Sequence, residues 1–162
     1  MEKLREVKLI SVKDNQFKAR VQTCDTSTND SYETIYVNST PAHEDLTAAL
    51  ARLKTHVERL SGTYFPNLTI EGYYRQAMTG CELLTIYAAL RDQNGCLMSL
   101  SVRHRIGQVE YLWIDTLLED LALCEREALL YIEQGKRLGI ERFVMLPVDG
   151  NETTGSETRQ AA

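Results

Sequence analysis

Histidine, proline, phenylalanine and tryptophan are scarce in this 162-residue chain, at three, three, three and one residues, and glycine is limited to nine. So few glycines and prolines exclude a collagen-like or low-complexity chain. No apolar run approaches the roughly 18 to 20 residues that span a bilayer, and the start, Met1 to Lys8, lacks the apolar stretch of a secretion signal. The expectation is a cytoplasmic protein with no membrane partner. Cys24, Cys81, Cys96 and Cys124 are widely spaced, form no Cys-x-x-Cys pair and have no neighbouring His to complete a zinc site. They are expected to be reduced, mostly buried thiols.

Catalytic and phosphate-cradling motifs are also missing. The chain has no Gly-x-Gly-x-x-Gly loop, Walker loop, His-Glu-x-x-His, Gly-x-Ser-x-Gly or EF-hand aspartate series. No catalytic residue, metal ligand or cofactor is therefore assigned, and the chain is read as a non-enzyme. The formal net charge of -5 and pI near 5.3 disfavour a duplex-DNA binder, whose affinity comes from Lys and Arg neutralising phosphates. What remains is an ordinary balance of 43% hydrophobic and 25% charged residues in a chain long enough for a sizeable core.

The pattern along the chain predicts an α+β fold with a mainly antiparallel sheet of about six strands and two helices, in the order βββα-βββα. In residues 6–13, Val7 and Leu9 share one face while Lys8, Ile10 and Val12 share the other. In 16–23, Phe17, Ala19 and Val21 alternate with Lys18, Arg20 and Gln22, and Tyr32 to Val37 makes a third strand. A helix is then expected with Thr40 as N-cap, Pro41 first, and a stripe of Leu46, Ala49, Leu50, Leu53, Val57 and Leu60 running to Ser61-Gly62.

Strands are predicted again at 67–75, 81–91 and 96–104, the last two joined by the turn-forming Asp92-Gln-Asn-Gly95. A capping box, Thr116-Leu-Leu-Glu119, opens a helix that runs to Gly135. Residues 1–148 read as a single domain, with 5–62 and 67–137 in the same element order. A short final strand is expected within 140–148, and the polar tail 149–162 as disordered.

Two clusters of side chains stand out. Tyr73, Tyr74, Arg75, Tyr87, Arg103, His104 and Arg105 fall in or at the ends of the central strands of the second half. Aromatic rings stack on bases and guanidinium forks grip phosphate, so projection of these residues from one sheet face would suit a nucleotide. Arg52, His56 and Arg59 share a helix face, expected to lie in solvent opposite the leucine stripe. His43, His56 and His104 are expected to be surface or half-packed residues, and Glu119, Asp120, Glu125 and Glu127 to form a solvated helix face.

The run from Thr40-Pro-Ala-His-Glu-Asp-Leu to Val57, with the closing Glu127-Ala-Leu-Leu-Tyr-Ile-Glu-Gln-Gly-Lys-Arg137, resembles a group of small bacteriophage proteins without an assigned activity. The resemblance covers about residues 5–137. It implies a phage-encoded protein working in the cytoplasm of an infected bacterium, and it carries no functional residue. The expectation is a non-enzymatic binder of a small nucleotide-like molecule, such as a counter-defence sponge. The alternative is a replication or recombination accessory that binds single-stranded DNA or a replication protein. The excess of tyrosine (8) over phenylalanine (3), with the apolar segment at 143–147, leads to the further expectation of a homo-oligomer.

Overall fold

The computed structural model describes residues 3–136. The element order is β1 (Lys3–Ser11), β2 (Phe17–Asp25), β3 (Ser31–Asn38), α1 (Glu44–Ala51), α2 (Leu53–Ser61), β4 (Leu68–Met78), β5 (Cys81–Arg91), β6 (Leu97–Ile106) and α3 (Ile114–Gln134). The expected α+β architecture is present. All six strands form one antiparallel sheet in the order β3-β2-β1-β4-β5-β6. Each half is thus a meander of three strands, and the two meanders join through the first strand of each. The expected final strand within 140–148 and the tail 149–162 lie outside the described residues.

The helices cover one face of the sheet, and the core fills the space between. Val7, Ile10, Phe17, Ala19, Val21, Ile70, Tyr73, Leu84 and Ile86 from the strands meet Leu46, Leu50, Leu53, Val57, Leu117, Leu121, Cys124 and Ala128 from the helices. Phe17 packs its ring 4.2 Å from that of Tyr131 on α3, whose hydroxyl donates to the Thr40 carbonyl at 2.6 Å. At the far end, Lys136 reaches Glu127 at 2.8 Å and Asp45 at 2.7 Å, tying the end of α3 to the start of α1.

Strict alternation fails in both first strands, for the same reason. The β1–β2 register slips between Val7 and Leu9, and the β4–β5 register slips between Ile70 and Gly72. A β-bulge adds one residue and reverses the facing of everything beyond it. Val7 and Ile10 therefore both enter the core, not Val7 with Leu9, and Tyr73 joins Ile70 inside in place of Gly72.

The helix ends differ from expectation in two places. His43, not Thr40, caps α1, because its Nδ1 accepts the Asp45 amide at 3.1 Å. The expected single helix is two segments separated by Arg52, whose amide bonds to the Ala49 carbonyl three residues back and tightens the turn. Helix α3 starts at Ile114, so Thr116 lies within its first turn and caps nothing; Trp113 holds the N-cap position without a side-chain bond. Gly62 and Gly135 do end their helices, both in the left-handed conformation.

β1 and β4 pair through only three positions, Leu9 with Tyr74, Ile10 with Tyr73 and Ser11 with Gly72, supported by the Val12 amide donating to the Glu71 carbonyl at 2.8 Å. A Cβ on residue 72 would stand 1.9 Å from the Ile10 carbonyl oxygen. Only a residue without a side chain lets the two backbones approach. Gly72→Ala is expected to lower stability by about 1–3 kcal/mol through overpacking against an immovable main chain, measured by equilibrium urea denaturation. An unchanged midpoint would show that β1 and β4 can part at no penalty.

Candidate functional site

Among the described residues nothing covers the sheet face away from the helices, and pairing registers order its side chains into rungs. One rung runs Arg20, Leu9, Tyr74, Thr85, Arg103 across β2, β1, β4, β5 and β6; the next runs Lys18, Ser11, Gly72, Tyr87, Ser101. Where Gly72 contributes no side chain, a hollow of about 490 Å³ opens, lined among others by Leu9, Ser11, Lys13, Lys18, Glu71, Tyr87, Ser99 and Ser101. From Lys18 to Tyr87 the second rung spans roughly 14 Å, three strand spacings. Arg20 Nη1 donates to the Tyr74 hydroxyl at 3.4 Å and its guanidinium carbon lies 5.4 Å from the ring centre. That pair lies outside the lining of the hollow, roughly 7 Å along β4 from the floor glycine.

The residues expected to share one sheet face divide between two. Tyr74, Tyr87, Arg103 and Arg105 lie on the open face, whereas Tyr73, Arg75 and His104 point to the helix side. Tyr73 is wholly buried; burial drives its phenol well above the usual range, and its hydroxyl finds no hydrogen-bond partner among the described residues. Arg75 is half-buried and bonded to Glu82 at 2.7 Å. His104 is buried, with Nε2 likewise unpartnered among the described residues, and burial lowers its pKa. Its chain neighbours Arg103 and Arg105 point to the opposite face. Lys18, Arg20, Ser11 and Gly72 were not anticipated. Their signal was the alternation of Lys18 and Arg20 in β2, legible as a basic face but not as one continued through β1 onto β4.

A second polar group sits on the helix side. His56, 1% exposed, places Nε2 3.0 Å from Asp120 Oδ2 and Nδ1 2.7 Å from the Tyr111 hydroxyl. Asp120, 4% exposed, also accepts from Arg52 Nε at 2.6 Å. Facing a carboxylate, Nε2 is the ring's donor, and the Tyr111 hydroxyl meets the ring at Nδ1. The Arg59 guanidinium lies 4.2 Å over the Trp113 ring, and burial raises the Tyr111 pKa against the lowering influence of that cation.

These contacts correct the solvated-face reading of both helices. His56 follows Leu53 by three residues and precedes Leu60 by four, so at 100° per residue it borders the leucine stripe instead of opposing it. Asp120 bears the same relation to Leu117 and Cys124. Glu127 is buried beneath Lys136, and Glu125 is half-buried, accepting the Val7 amide at 3.2 Å while burial raises its pKa.

The order acid, imidazole, hydroxyl is that of a proton relay, but here the imidazole is sealed and the hydroxyl is 9% exposed with a raised pKa. Its evident work is to tie α2, α3 and the 107–113 loop. Among the described residues no group of three or more His, Cys, Asp or Glu is placed to hold a metal ion. All four cysteines are free, but only Cys124 is buried, its thiol pushed up to about 12 by burial and then by Asp120; Cys24 and Cys81 are half-buried and Cys96 is exposed. No described helix is long and apolar enough to cross a membrane.

Asp120→Ala is expected to cost roughly 2–3 kcal/mol, since it strands the buried Nε2–H of His56; a loss below 0.5 kcal/mol in chemical denaturation, roughly the scatter for surface changes, would mean that water replaces the carboxylate. His104 gives a pH dependence of known sign. Its folded pKa lies below the unfolded 6.5, so the unfolded chain binds more protons and stability falls as pH drops below about 6.5. His104→Phe should flatten that part of a stability-against-pH curve, and an unaltered slope would assign it to other groups. Comparison with protein-family models, with curated proteins and with solved structures finds no match to this chain.

Proposed function

We propose that the protein is a non-enzymatic binder of a small nucleotide-like ligand, held in the hollow of the open sheet face. The observation that carries this reading is the composition of that hollow. Tyr87, 43% exposed, offers a ring for a base to stack on. Lys18 and Lys13 stand across the floor as point charges for phosphate, Ser11, Ser99 and Ser101 supply hydroxyls, and Glu71 can accept from sugar hydroxyls or an exocyclic amine. With no side chain on residue 72, a ligand can approach the main chain itself.

Tyr74 with Arg20 on one side and Arg103 on the next strand extend the same surface, so a second phosphate or base has groups to meet. The basic side chains gathered here oppose the net acidity of the whole chain, which favours a local anion site over a long nucleic-acid track. In the setting implied by the phage resemblance, such a binder acts as a sponge, withholding a nucleotide signal that a bacterial defence system uses.

Thermal-shift measurements against cyclic and linear nucleotides are expected to raise the unfolding midpoint, because a ligand that binds only the folded state stabilises it. Lys18→Ala and Tyr87→Ala should each weaken binding by roughly tenfold or more, with smaller losses for Tyr74→Ala and Arg103→Ala. Tyr73→Phe, buried on the other face, should bind as the parent does. No shift with any nucleotide would sink the proposal, and a salt-dependent shift with a single-stranded oligonucleotide alone would replace it with the nucleic-acid reading.

A further inference from the structure

The sheet has two terminal strands, and they are guarded unequally. β6 carries Arg103 and Arg105. β3, Ser31–Asn38, contains no lysine, arginine or proline, and Glu33 is its single charge. Its pairing with β2 runs through all eight residues without a register slip, as does that of β6 with β5, so the two edges differ in charge and not in flatness. Tyr32, Ile35 and Val37 are 49%, 55% and 56% exposed. A flat, β-branched edge whose outward amides and carbonyls meet no other strand among the described residues, and whose one charge is Glu33, is a template for another strand.

We infer that β3 is a dimerisation edge, pairing antiparallel with β3 of a second copy of this chain to fuse two sheets into one. Only an extended strand satisfies a row of alternating donors and acceptors, and a second copy presents one of the same length and pattern. A two-fold axis perpendicular to the sheet sets each residue against one on the same face, so the axis must pass through a residue, not between two. Centring on Glu33 would oppose like charges. Centring on Thr34 instead sets Glu33 against Ile35, Ser31 against Val37 and Tyr32 against Tyr36 of the second copy, an aromatic pair of the kind that stabilises sheets. The helices of both copies then lie on one side and the two open faces form one continuous surface.

Light scattering and sedimentation equilibrium of the full chain, without added nucleotide, test this separately from ligand binding. The parent is expected at twice its 18.4 kDa mass. Ile35→Glu, which sets a second carboxylate against Glu33 of the other copy, and Val37→Lys, both at exposed positions that leave the monomer fold intact by circular dichroism, should each raise the dimer dissociation constant at least about tenfold. Met98→Lys, on the β6 edge, should leave the mass unchanged. A parent that stays monomeric at its highest soluble concentration overturns the inference. So does a dimer that survives both β3 substitutions or is lost through Met98→Lys.

Discussion

The close approach of Gly72 to the Ile10 carbonyl is the contact on which the rest of the structure rests. Three residue pairs hold β1 to β4, and without them the chain would be two separate meanders, each with half a core. Small three-stranded sheets with one or two helices bury too little apolar surface to be comfortably stable alone. Joined, they enclose Tyr73, Ile10, Phe17 and Leu84 under one continuous roof of helix. The same missing side chain leaves the hollow on the opposite face, so one glycine serves both the interior and the surface.

The two faces then follow different rules. On the helix side the buried charges are held in sets: Asp120 satisfies His56 and Arg52, and Lys136 satisfies Glu127 and Asp45. Removing one member of such a set leaves the others desolvated and unpaired, so the penalty exceeds the value of the single bond. On the open side Lys18, Tyr87 and Arg103 remain in contact with water. Their loss changes what the surface can attract far more than whether the chain folds.

Much of the architecture was legible, because strand alternation, the Asn-Gly turn and the two glycine stops report local physics. What escaped were features created by tertiary contact. The bulges at Lys8 and Glu71 reversed the facing of Ile10, Leu9, Gly72 and Tyr73, and a one-residue slip leaves no mark in composition. The partnership of His56 with Asp120 joins residues 64 apart, yet each borders a leucine stripe at the same angular offset, a signal present in the spacing but outweighed by the habit of placing charges in solvent. Of the seven residues proposed for a site, Tyr74, Tyr87, Arg103 and Arg105 proved to share a face. Tyr73, Arg75 and His104 alternate with them and are turned inward for that reason alone.

Trp113, the single tryptophan of the chain, lies beneath the Arg59 guanidinium and beside Tyr111, at the mouth of the buried His56 chain. A cation held against an indole alters its emission, so the protein carries an optical probe of its own on the helix layer. That probe registers loosening of α2, α3 and the 107–113 loop. It is not among the residues that line the Gly72 hollow, so its emission follows the helix layer and not the open face.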